Sequence, residues 1–281
     1  MTMFRLAAAF TAGALGAQLF WLATRSVFAS PALVRSNWRD REVPTAVGVL
    51  IPLVVIAVEA GRAVLGAFGA GTAGTTPARV AVLVTVVGFA LLGAIDDVAG
   101  SADQRGFRGH LGALMRWQAT TGLLKLVGGA ALAIAVVGPL ADRGPLRLVA
   151  DAALVALSAN LANLFDRAPG RVIKVGMGAF AVVVAVAGVR ARLDTVAVVI
   201  GASVGLLVDD LRERLMLGDA GANGLGAVLG LSLVLTTRPV VRTGALVVVV
   251  ALNVAGELVS FSRVIDAVPP LRALDRAGRL R

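Results

Sequence analysis

Nine runs of mainly apolar residues follow one another with short connections, at 6–24, 46–68, 79–95, 121–140, 147–165, 172–189, 194–208, 221–237 and 243–261. About 20 such residues make a helix long enough to cross the hydrocarbon of a bilayer, so each run is a candidate span. The chain is 58% hydrophobic and 16% charged, too little polar surface to cover a water-soluble domain of 281 residues. The expectation is an all-α polytopic membrane protein with nine transmembrane helices, or ten, and 1–281 forming one membrane domain. The first run opens with a short basic stretch, as a signal peptide does, but eight more runs follow and it is read as the first span. Gly201 with Gly205, and Gly226 with Gly230, suit close helix packing in lipid.

Charge orients the spans. Connections after odd-numbered runs, with the carboxyl-terminal tail, hold 17 basic residues, and the opposite side holds 8. By the positive-inside rule the odd connections and the carboxyl terminus are cytoplasmic and the amino terminus is outside, in a plasma membrane. The net charge of +10 is therefore read as a basic membrane face and not as a nucleic-acid surface, because the arginines lie scattered between apolar runs with few aromatics beside them.

Composition also limits the chemistry. The absence of cysteine excludes disulfides, thiolate nucleophiles and cysteine-held metals, and one histidine, His110, excludes a histidine-based zinc site within the chain. Any divalent metal needs oxygen ligands, which points to Mg²⁺ or Mn²⁺.

The odd-numbered connections carry almost every unusual polar cluster: residues 37–45 (NWRDREVPT), Asp96 with Asp97, residues 160–170 (NLANLFDRAPG) and residues 218–224 (GDAGANG). Simple solvation of a membrane protein does not require that asymmetry. Adjacent Asp96 and Asp97 repel unless a cation or proton offsets one of them, although such a pair can also be a solvated helix end. Asn160, Asn163 and Asp166 recur at i, i+3 and i+6 and line one stripe of a helix, where amides act as interhelical glue or face a ligand. Asp219 opens a span from a Gly-rich turn, where backbone N–H groups cradle phosphate or the carboxylate holds the phosphate's metal. Lys125, about one turn into the fourth span, must snorkel, pair with an acid or meet an anionic substrate. His110 sits near Arg105 and Arg108 and suits anion binding, proton transfer or a plain surface role. Glu59, Arg62 and Glu257 also fall within spans, where structural pairing is the default.

Taken in order, these clusters resemble the polyprenyl-phosphate N-acetylhexosamine-1-phosphate transferase family, which includes the phospho-MurNAc-pentapeptide translocase and enzymes that load GlcNAc-1-phosphate onto a lipid carrier. The family's N-x-R-G…V-P-T-x-G-G loop is similar to Asn37, Arg39, Val43, Pro44, Thr45 and Gly48. Its Asp-Asp pair matches Asp96 and Asp97, its N-x-x-N-L-x-D-G-x-D-G matches Asn160, Asn163, Leu164, Asp166 and Gly170, and its M-G-D-x-G-S-x-x-L-G resembles Gly218, Asp219, Gly221 and Gly226. The resemblance implies attack by a polyprenyl (undecaprenyl or decaprenyl) phosphate on a UDP-sugar, with release of nucleoside monophosphate, for cell-envelope glycans. It further implies that Asp96, Asp97 and Asp219 are catalytic, that Asp219 and Asp97 hold the metal, and that Thr45, Lys125, Asn160, Asn163, Asp166 and His110 bind substrate. The implied partners are the lipid phosphate, a nucleotide-sugar and membrane lipid, and a homodimer is an open assembly.

The departures matter. The family's second acid in D-G-x-D-G is replaced by Pro169 within Asp166-Arg167-Ala168-Pro169-Gly170, and the tail from Ser262 to Arg281 has no histidine where the family has a histidine-rich loop. A divergent subgroup with its own substrate follows. A non-catalytic relative that binds lipid phosphate or scaffolds envelope assembly is the alternative, and a transporter, supported only by the embedded charges, is a third.

Overall fold

The computed structural model describes residues 2–37, 39–71, 74–99, 121–140 and 144–280, and these residues are almost wholly helical. Helices α1 (Thr2–Phe28), α2 (Leu50–Ala67), α3 (Pro77–Ala99), α4 (Thr121–Val137), α5 (Pro145–Phe165), α6 (Arg171–Ala187), α7 (Asp194–Leu211), α8 (Gly218–Thr236) and α9 (Pro239–Leu258) coincide with the nine apolar runs. Seven of them, α2 and α4 counted with the short 3-10 turns that adjoin them, are long and apolar enough to cross a membrane; α6, with 17 residues, and α7, with three carboxylates in 18 residues, are not among them. The protein is membrane-embedded. Two short helices, α10 (Phe261–Ala267) and α11 (Pro269–Arg276), close the chain, and the one departure from an all-α fold among the described residues is a small antiparallel hairpin of β1 (Val34–Ser36) and β2 (Glu42–Pro44). Its register pairs Val34 with Pro44 and Ser36 with Glu42.

Two helices make the centre. In α8, 78% of the apolar stretch is buried, against none in that of α9, so α8 is sheltered from lipid and α9 lies at the periphery. Helix α7 is likewise buried along nearly its whole first half, from Asp194 to Ser203. Both are rich in glycine for a physical reason. A Cβ on Gly201 would stand 1.9 Å from the carbonyl oxygen of Phe10, and one on Gly205 would stand 2.3 Å from that of Ala14, so α1 and α7 meet backbone to backbone. Gly226 and Gly230 do the same for α8 against α5, at Ser158 and Leu154. Both pairings expected from the glycine spacing are therefore used. The large aliphatic residues of α1 and α9 point the other way, with Leu15, Leu19, Val247 and Val248 exposed as a lipid-facing surface requires.

Embedded charges are paired. Glu59 accepts hydrogen bonds from Arg62, Arg79 and Thr195, and buried Asp151 is held between Arg147 and Arg242. Removing charges from water is expensive unless they are compensated, and each of these acids is bonded by two guanidiniums. Glu257 is exposed at the end of α9.

Candidate active site

The site begins where α3 meets the start of α8. A Cβ on Gly93 would lie 2.2 Å from the carbonyl oxygen of Asp219, so only a glycine lets the helices approach this closely. Four residues later, Asp97 turns its carboxylate onto the first turn of α8: Oδ1 accepts the N–H of Asp219 and Oδ2 that of Ala220, both at 3.0 Å. Helix starts leave N–H groups without intrahelical partners and carry a partial positive charge, and here an acid from another helix meets both needs. Gly218 stands at φ +70°, in the left-handed region, and a Cβ there would be 2.6 Å from Asp97 Oδ2. The Gly-Asp turn thus serves backbone geometry, and the two amides expected to cradle phosphate already belong to Asp97.

The β2 strand and the turn after it press on the same place. Gly48 donates its N–H to the carbonyl of Leu217, Met216 donates to Pro44, and a Cβ on Gly48 would be 2.2 Å from the Cα of Gly221. Ala46 adopts φ 57° to make this turn. Thr45 is buried beside it, its N–H bonded to the carbonyl of Leu33. Asn37 organises the hairpin: its Oδ1 accepts the N–H groups of Arg39 and Arg41, and its amide donates to Glu213, which also pairs with Arg39.

Asp219 is the hub. Lys125 of α4 reaches its Oδ2 with the ammonium group and lies 3.6 Å from Asp96 Oδ2, so the two acids share one cation. Asn163 of α5 donates to the same oxygen at 2.8 Å. The charge that offsets the Asp-Asp pair is therefore the Lys125 ammonium on Asp96 and the α8 amides on Asp97, instead of solvent. Asn163 also approaches Asn223, whose Nδ2 is buried and has no hydrogen-bond partner among the described residues. Asn223 was not singled out in the sequence. Its position one helical turn after Asp219 was the available clue.

The expected stripe on α5 divides. Asn163 and Asp166 turn toward α8 and its neighbours, whereas Asn160 donates to Asn253 of α9 at 2.7 Å and Asn253 donates back to the carbonyl of Leu157, so Asn160 serves as interhelical glue. Asp166 ends α5. Desolvation by the surrounding protein, and then the negative charges of Asp210, Asp219 and Asp97, drive its carboxyl well above the ordinary carboxylate range. Asp210, from the last turn of α7, is buried and accepts the N–H of Gly170 at 2.9 Å. His110 lies outside the described residues.

The carboxyl-terminal helices wall the site on its α6 side. Arg171 binds both oxygens of Asp275, at 2.8 and 3.0 Å, and Arg279 donates to the carbonyl of Pro169 at 2.9 Å. Lys174 donates to the carbonyls of Leu274, Asp275 and Ala277, closing the end of α11. The loop in which Pro169 replaces the family's second acid is thus tied to the tail. Burial raises the pKa of Asp275, but hydrogen bonding from Arg171 and the charges of Arg171 and Arg279 outweigh it and hold the carboxyl below its usual range.

Among the described residues no three acids or histidines are grouped to enclose a metal by themselves. Both oxygens of Asp97 are engaged by the α8 amides, and Asp219 Oδ2 by Lys125 and Asn163, so a metal held by Asp219 and Asp96 would take the place of the Lys125 ammonium. An oxygen-only set of two carboxylates suits a hard ion that shares its coordination with substrate phosphates, the usual arrangement for Mg²⁺. No protein-family model and no curated protein matches the chain. The family resemblance stands on the motif residues alone.

Proposed function

We propose that the protein transfers a sugar-1-phosphate from a nucleotide-sugar, a UDP-N-acetylhexosamine by the resemblance, to a polyprenyl phosphate, releasing nucleoside monophosphate. One observation carries the reading: Asp96, Asp97, Lys125, Asn163 and Asp219, drawn from four helices, meet at one end of the bundle with Asp166 beside them. A diphosphate needs cationic and hydrogen-bonding groups gathered in this way at the membrane edge.

In the proposed reaction an oxygen of the lipid phosphate forms a bond to the sugar-linked phosphorus. The bond from that phosphorus to the bridging oxygen breaks, and the nucleoside monophosphate departs with the electron pair. A phosphate monoester has its second pKa near about 6, so the nucleophile is mostly ionised at neutral pH and needs positioning more than deprotonation. Mg²⁺, when bound at Asp219 and Asp96, supplies neutralisation of the diphosphate. Lys125 passes from its acids to a phosphate oxygen, Asn163 and Asn223 present amide donors, and Asp97 keeps the start of α8 aimed at the site. The proposed topology has nine crossings, with the odd-numbered connections and this site cytoplasmic and the amino terminus outside; the basic asymmetry supports it.

The test is incubation of the purified protein with undecaprenyl phosphate, Mg²⁺ and a panel of nucleotide sugars, reading nucleoside monophosphate. Release with at least one sugar is expected, and silence across the panel refutes the enzyme. A second reading, a non-catalytic binder of lipid phosphate, is favoured by one feature: the loop at 166–170 is bonded to the tail and lacks the family's second acid. That protein would bind the lipid phosphate and release nothing.

A further inference from the structure

Along helix α3 the rise from Arg79 to Asp97 is about 27 Å at 1.5 Å per residue, so its start lies at the end of the bundle away from the acids. At that end a cavity of about 350 Å³ is lined by Arg5, Arg62, Arg79 and Asp194, with Leu65 at its side. Small-molecule pockets begin near that volume, roughly 300 Å³.

The charges there do not balance. Glu59 and Asp194 face three guanidiniums, leaving one positive charge over among the described residues. Arg79 is fully engaged, by Glu59 and the carbonyl of Gly74. Arg5 and Arg62 are not. Arg5 bonds Asp194 through Nη2 alone, and Arg62 bonds Glu59 and Thr195 through Nη1 alone, so two donor nitrogens on each remain open among the described residues. A guanidinium presents its N–H groups as a fork that matches phosphate. A second, separate feature also asks for a ligand: Asp194 is 5% exposed, yet its Oδ1 is buried without a hydrogen-bond partner among the described residues. A buried carboxylate oxygen left this way needs a donor.

We propose that this cavity binds a phosphate ester that also carries a hydroxyl or amine, such as the headgroup of phosphatidylglycerol or phosphatidylethanolamine. The phosphate lies against Arg5 and Arg62, and the hydroxyl or ammonium donates to Asp194 Oδ1. The site is separate from the acid cluster and does not depend on the transferase reading.

Native mass spectrometry of the full chain, stripped of lipid in detergent and titrated with phosphatidylglycerol, phosphatidylethanolamine, phosphatidylcholine or inorganic phosphate, tests it. The expected result is one retained lipid, with the first two held about tenfold tighter than phosphatidylcholine, whose head lacks a donor. Arg5→Gln, whose amide can still donate to Asp194, should weaken retention about tenfold, and R5Q/R62Q should abolish it. Asp194→Ala should erase the preference among heads, and Asp219→Asn should retain the lipid fully. Saturable binding of inorganic phosphate, lost in R5Q/R62Q, without lipid retention would keep the anion site and assign it to a soluble phosphate ester. Equal retention of every lipid by wild type and Arg5→Gln would overturn the proposal.

Discussion

Lys125 and Asp166 show what the acid cluster asks of single residues. Lys125 and Asp219 have side chains 20% and 24% exposed, so their pairing lies between exposed bridges of roughly 0.2–1 kcal/mol and buried ones whose disruption costs roughly 3–5 kcal/mol. Lys125→Met should destabilise by about 1–3 kcal/mol in a detergent melt, and adding Asp219→Asn should recover part of that, because one uncompensated carboxylate goes with it. Additive losses in the double variant would show that the two side chains are not coupled. Asp166 works in the other direction. Its carboxyl is raised in the fold, so the folded state holds a proton that the unfolded chain gives up, and stability falls as pH rises through the folded value. Asp166→Asn should therefore raise the melting midpoint more at about pH 8 than at about pH 5. An equal effect at both would deny the repulsion. Most of these residues were legible as chemistry: paired acids, an embedded lysine and amides at helical spacing have few bland uses in a membrane. Their partners were not legible. Nothing local says that Asp97 caps a helix more than a hundred residues away, or that Asn160 turns to Asn253 and not to Asn163's neighbours.

The helices themselves were the easiest elements to read, since continuous apolar runs admit little else, yet their ends moved. Asp96 and Asp97 lie within the last turn of α3 and Asp219 within the first turn of α8, because polar residues at a membrane edge can extend a helix that hydropathy alone would stop. Glycine pairs correctly marked where α1 meets α7 and α5 meets α8. A graded prediction follows. Gly201→Ala forces a Cβ to 1.9 Å from a backbone oxygen and should cost about 1–3 kcal/mol or more, whereas Gly244 of α9 has open space around it and Gly244→Ala should be neutral or stabilise by about 0.5–1 kcal/mol. Equal melts for the two variants would mean that the α1–α7 seam is looser than described. The docking of α10 and α11 was invisible in sequence. It rests on Arg171, Lys174 and Arg279 meeting Asp275 and backbone carbonyls, and long-range ion pairs leave no periodicity to find.

At the scale of the molecule, the bundle has two differently built ends: one where acids, amides and one lysine converge, and one where arginines exceed their acids. Spans of opposite direction carry these ends to opposite sides of a bilayer. The native chain has no cysteine, so single-cysteine variants report orientation directly. Ser36→Cys, in the hairpin at the acid end, should be shielded from an impermeant maleimide in intact cells, and Thr76→Cys, before α3, should be labelled; the reverse pattern would invert the topology. The central claim is that the converged acids act together on one diphosphate, with Asp219 as their hub. Its most direct test is turnover of Asp219→Asn beside wild type, with undecaprenyl phosphate and the preferred nucleotide-sugar across a Mg²⁺ titration. The expected result is loss of nucleoside monophosphate release by about 100-fold or more, with no recovery at high Mg²⁺ and an intact fold. A variant that turns over at the wild-type rate, with the same dependence on the metal, would contradict it.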